Sequence, residues 1–187
     1  MWLSKLMNLL YAIASFCRQR IFLLGSLFKS LYVNLHDFPI RTALHVLILV
    51  GSQVKLDELG GRIEVAEIRR GMVRFGIASG SFSLESSRGF LHIWQNGFLR
   101  FEGQADFAKG SSLIVDRNCQ IWGNIYCNAN AIINANRGIT IGENCLIGWN
   151  VTIIDGDGHS IHAKTTFEDV NPAAINDSRP ITIGNNV

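Results

Sequence analysis

The sequence predicts an all-β chain wound as a parallel β-helix, a triangular prism of stacked coils, behind an N-terminal helical segment. Three observations predict it. Apolar residues recur at steps of six, through Val115, Ile121, Cys127 and Ile133, then, after a two-residue slip at Arg137-Gly138, through Ile141, Ile147 and Ile153. The unit repeats in form as well as in spacing: Ile141-Gly-Glu-Asn-Cys145, Ile147-Gly-Trp-Asn-Val151 and Ile183-Gly-Asn-Asn-Val187 are copies of one pattern. Glycine and asparagine follow the apolar position, where a tight corner needs residues that tolerate positive φ. Six residues make one short strand with its turn, three such units close a triangle, and stacking buries the aliphatic side chains.

Taken in order, residues 1–32 read as helix. Leu3, Leu6, Met7, Leu10, Ile13, Ala14 and Cys17 recur at three- and four-residue intervals without proline. Met1 to Leu35 contains Lys5, Arg18, Arg20 and Lys29 and no acid. The stripe suits an interfacial helix on an acidic membrane leaflet, or one packed on its own domain or on a sister subunit. No apolar run is long enough to span a bilayer. Pro39 marks a connection, so the chain divides into residues 1–42 and a β domain over residues 43–187. Leu44, Val46, Ile48 and Val50 alternate as a strand does, followed more loosely by Ile63, Val65 and Ile68, then by Leu91, Ile93 and Phe98 to Phe101. Phe101, Phe107 and Leu113 are also six apart, two residues out of phase with the later ladder. A polar stretch over residues 155–180 interrupts the ladder and carries His159 and His162. A rigid frame broken by a histidine-bearing loop is the natural place for chemistry.

Composition narrows the class. Hydrophobic content is 48% and charged content 17%, which argues against disorder. A net charge of +2 is too small to imply a nucleic-acid partner. Cys17, Cys119, Cys127 and Cys145 show neither metal-site nor disulfide-framework spacing, so they read as reduced, buried thiols of a cytoplasmic protein.

From Val115 to Val187 the residues resemble the hexapeptide-repeat acyltransferases, most of all the galactoside and maltose O-acetyltransferase group and its members that modify polysaccharides. Tyr126-Cys-Asn-Ala-Asn130-Ala, Ile139-Thr-Ile-Gly-Glu-Asn-Cys-Leu-Ile-Gly-Trp149-Asn-Val-Thr-Ile-Ile-Asp155, Gly158-His159-Ser-Ile-His162 and Arg179-Pro-Ile-Thr-Ile-Gly-Asn-Asn-Val187 carry the resemblance. It implies a left-handed β-helix, acetyl-CoA as co-substrate, a homotrimer with sites between subunits, His159 as the catalytic histidine and Asn130 as the acceptor-sugar asparagine. Family members continue with a tryptophan and further hexads that supply much of the acetyl-CoA site. This sequence reaches Val187 before them.

The expected reaction moves an acetyl group from a thioester to a saccharide hydroxyl. A hydroxyl is a weak nucleophile at neutral pH, so a base must take its proton as the carbon–oxygen bond forms, and imidazole suits that task. His159 is the expected base, with Asp157 or Asp155 fixing its tautomer. Trp149 is a candidate cleft wall or oxyanion donor, and His162 a substrate contact. Asp155-x-Asp157-x-His159 also has the composition of a hard-cation site, although the same alternation serves an Asp–His dyad. The acceptor would be a saccharide, free or linked to a nucleotide or lipid, with peripheral membrane contact through residues 1–32. A rival from another class is a catalytically incomplete β-helix serving as a carbohydrate-binding or assembly module. A third reading is an enzyme of this fold acting on an amino sugar or serine.

Overall fold

The computed structural model describes residues 24–77, 87–156 and 179–187. Two helices, α1 (residues 24–37) and α2 (Ile40–Ala43), precede fifteen strands that form three parallel five-stranded sheets. Face A stacks β1 (Ile48–Val50), β4 (Val73–Phe75), β7 (Ala105–Phe107), β10 (Ile125–Cys127) and β13 (Leu146–Ile147). Face B stacks β2 (Val54–Leu59), β5 (Gly89–Ile93), β8 (Ser112–Val115), β11 (Ile132–Ala135) and β14 (Thr152–Ile154). Face C stacks β3 (Arg62–Val65), β6 (Phe98–Phe101), β9 (Asn118–Gly123), β12 (Ile139–Glu143) and β15 (Ile181–Ile183). Successive strands belong to successive faces, and each pairs in parallel with the strand three places on. That is the β-helix prism the hexads predict.

The register explains the slip at Arg137-Gly138. Ile121 pairs with Ile141, Cys127 with Ile147 and Ile133 with Ile153, and stacked corner residues lie 20 apart. From Phe101 to Ile153 each coil therefore has two six-residue steps and one longer corner between faces B and C. Phe101, Phe107 and Leu113 form the coil below Ile121, Cys127 and Ile133, so their phase difference is the same long corner one coil earlier. Val115 does not begin the ladder. It sits in register with Ala135 and Ile93, and its six-residue distance from Ile121 merely spans that corner. The prism also begins earlier than the clear repeats, since β1 to β6 are already in register with them.

The core fills the prism axis. Phe75, Phe101 and Phe107 pack below, with Phe75 and Phe107 centroids 4.8 Å apart, while Cys119, Cys127, Ile133, Ile139 and Ile141 fill the coils above. Burying each such large side chain is worth roughly 1.5–3 kcal/mol. Cys119, Cys127 and Cys145 are free and buried. Burial pushes the Cys119 thiol up to about 12 and the Cys127 thiol further up, as expected where the thiolate is excluded from water.

Corners are built by left-handed residues. Asn124, Asn144 and Asn186 have φ near +55° and stack amide on amide, 3.2 Å apart at each step. Gly110, Asn130 and Asn150 form a second such column, at the corner between faces A and B. A Cβ on Gly110 would meet the Asn130 amide oxygen at 2.1 Å, so any side chain there would have to displace that amide.

The helical segment departs from expectation. Helix α1 runs to residue 37, past Tyr32, and crosses the base of the prism with its polar side inward. Asn34 donates to the Ile48 carbonyl at 2.7 Å and accepts from the Ile48 N–H at 3.2 Å, as a neighbouring strand would. Ser30 accepts from the Val50 N–H, Ser26 donates to the Val50 carbonyl, and Lys29 donates to the Ser52 and Val54 carbonyls. Asp37 accepts from the Ile63 N–H at 2.9 Å. These side chains satisfy backbone groups of β1, β2 and β3 that have no strand beneath them. Burial lowers the Lys29 pKa. Leu44 and Val46, expected in a strand, lie instead at the end of α2 and in a turn, where Val46 has φ 50°. Ile68 lies outside β3, exposed.

Candidate functional site at the Asp155 corner

The ladder breaks where β14 ends. Between stacked residues of β12 and β15 the spacing rises from 20 to 42, so an insertion enters at the long corner between faces B and C. Asp157, His159 and His162 fall outside the described residues. What can be described is the base of that insertion.

Asp155 is buried and binds the corner of the coil below. Its Oδ1 accepts from the Asn136 N–H at 2.6 Å and the Asn136 side-chain amide at 3.3 Å. Its Oδ2 accepts from the N–H groups of Arg137 at 2.8 Å and Gly138 at 2.5 Å. A carboxylate offers about four acceptor sites, and all of them are occupied. Three successive backbone N–H groups curled around one carboxylate form an anion nest. The arrangement leaves Asp155 no acceptor for an imidazole, and it anchors the base of the insertion instead. The returning strand uses the same corner, since the Ile181 N–H donates to the Gly138 carbonyl at 2.9 Å and Pro180 lies against Gly138. Departure and return of the insertion are thus both tied to Asn136-Arg137-Gly138.

Asn130 and Trp149 lie on a different edge, between faces A and B. The Asn130 amide donates to Asn150 at 3.3 Å within its corner column, and Trp149, the neighbour of Asn150, is 46% exposed. The structure brings these two together and sets them one face, β14, away from Asp155.

Two further groupings had no sequence signal. On face C a shallow groove of about 360 Å³ is lined by Trp122, Thr140, Glu143, Thr182 and Asn185. On face B, His92 Nδ1 lies 3.0 Å from Asp57 Oδ2, its ring packs 4.5 Å from Trp94, and its Nε2 is buried without a hydrogen-bond partner. Hydrogen bonds from Lys55, then His92, lower the Asp57 pKa. Asp57 and His92 are 35 residues apart and meet through the pairing of β2 with β5, which no local pattern announces. Among the described residues no three of His, Cys, Asp and Glu converge as metal ligands would. Comparison with family models, curated proteins and solved structures finds no match to this chain.

Proposed function

We propose that the chain is an O-acetyltransferase that moves an acetyl group from acetyl-CoA to a hydroxyl of a saccharide in polysaccharide synthesis. One observation supports this best: a β-helix interrupted at one corner by a histidine-bearing insertion whose two ends are tied to Asn136-Arg137-Gly138. In this reading His159 takes the acceptor hydroxyl proton as oxygen attacks the thioester carbon. The carbon–sulfur bond then breaks, and the proton passes to the departing thiolate. Asp157 holds the imidazole, while Asp155 holds the loop. Asn130, Trp149 and His162 contact the acceptor, and assembly as a homotrimer would bring the edge of Asn130 and Trp149 in one subunit beside the Asp155 edge of the next. The setting is cytoplasmic, where acetyl-CoA is available, and a lipid-linked acceptor would be met through residues 1–32.

The test is acceptor-dependent release of CoA by the full chain and by His159→Ala. A positioned base contributes about 10²–10⁴-fold, so the variant should lose at least two decades of turnover and keep its acceptor affinity. Equal turnover would refute the assignment.

A second reading, a carbohydrate-binding module without turnover, draws on the face C groove, where Trp122 offers a stacking surface beside hydroxyl, amide and carboxylate groups. Saccharide binding that survives His159→Ala, fails in Trp122→Ala and never releases CoA would favour it.

A further inference from the structure

Helix α1 is amphipathic in the reverse of the usual sense. Its polar residues Ser26, Lys29, Ser30, Asn34 and Asp37 face the protein, where they bond to the first coil. The opposite side carries Leu24, Leu27, Phe28, Leu31, Tyr32 and Leu35, spaced three and four residues apart along one face. Five of these six are large and exposed, from 49% for Leu27 to 68% for Phe28. Helix α2 continues the pattern, with Ile40 and Leu44 exposed. Isolated exposed apolar side chains need no explanation, but a contiguous helix face of them marks an interaction surface.

Charge identifies the occupant. Between residues 24 and 45 the one acid is Asp37, whose carboxylate is turned inward to the Ile63 N–H and the His36 ring. Besides the Tyr32 phenol, the exposed ionisable groups of this segment are Arg41, a permanent cation, and the bases His36 and His45. The preceding residues add Lys5, Arg18 and Arg20 and no acid. A symmetric contact with a second copy would bring this basic rim against itself, whereas an anionic leaflet complements both the rim and the apolar face. Tyr32, with an apolar ring and a polar hydroxyl, suits the headgroup region. Among the described residues no helix is long and apolar enough to cross a membrane.

We propose that the outward face of α1, continued by Ile40 and Leu44 of α2, lies on an anionic lipid surface. This deepens the membrane contact assigned above to residues 1–32, extends it through Leu44, and does not depend on acetyl transfer.

The experiment is co-sedimentation of the full chain with vesicles of phosphatidylcholine alone or with three parts in ten phosphatidylglycerol. Phe28→Ser/Leu35→Ser is the principal variant, and both positions are exposed enough for the fold to persist, checked by circular dichroism. Ile40→Ser/Leu44→Ser is the second. Expected is binding to the anionic vesicles, at least tenfold weaker in either variant and weakened by salt. Wild-type chain that stays in solution with both vesicle types overturns the proposal, as does equal binding by wild type and both variants. Wild type that ignores vesicles but whose oligomer dissociates in the variants would assign the face to a second copy and also overturn it. Vesicle binding and CoA release are separate readouts, so failure of either reading leaves the other standing.

Discussion

The first and last described coils of the prism treat the same kind of residue differently. At the β1 end, Ile48, Val50 and Ile63 are buried because α1 lies across them and its side chains bond to their backbone groups. At the β15 end, Ile153, Ile181 and Ile183 point inward in register with Ile133, Ile139 and Ile141, yet they are only partly buried where the others are fully so. Inward direction is a property of the strand. Burial comes from the layer above, so the energetic weight of a ladder isoleucine depends on which coil it occupies.

Substitutions can break this comparison. Ile141→Ala, in the covered stack, should cost about 4 kcal/mol through lost burial and the cavity left behind, read as a lower midpoint in urea. Asp155→Ala should cost about 3 kcal/mol, because it leaves the N–H groups of Asn136, Arg137 and Gly138 without their charged acceptor. The same variant should speed proteolysis of the insertion, and unchanged cleavage would show that the nest does not hold its base. Alkaline pH probes the covered core. The Cys119 thiol rises from 9.0 to about 12 in the fold, so above about pH 9 the unfolded chain releases a proton that the folded chain keeps. Stability is intact below that point and falls as pH rises towards 12, by about 1.4 kcal/mol per pH unit for each such thiol. Cys119→Ala should reduce the slope, and an identical slope would mean that the thiol reaches solvent. Smallest is Ile183→Ala, about 1 kcal/mol, because less of the side chain is removed from water. Equal losses at positions 141 and 183 would collapse the comparison.

Much of the prism was legible in the sequence because a repeat writes its geometry at fixed intervals. Ile141, Ile147 and Ile153 mark three successive faces, and Asn144 and Asn150 mark the corners between them. The 20-residue coil was less legible, since two steps of six followed by one of eight look like a ladder with occasional slips. Val115 was misplaced for that reason. The orientation of α1 was not legible at all. Ser26, Ser30 and Asn34 have the spacing of a solvent face, and only the unpaired edge of β1 makes them an inner one. Asp155 illustrates the same limit: near His159 in sequence it reads as a partner for imidazole, whereas its ligands come from a corner 17 to 19 residues earlier. Asn130 likewise bonds to a residue one coil on.

The fixed spacing between stacked strands has a metric consequence, whatever the number of residues in a coil. Neighbouring parallel strands stand roughly 4.8 Å apart, so the four steps from β2 to β14 on a five-stranded face raise the insertion about 19 Å above the base coil. Removing or duplicating one 20-residue coil would change that height by a single increment and leave every column aligned. The number of coils is therefore a standoff, counted in whole strands, between the helix-covered base and the corner at which the insertion leaves β14.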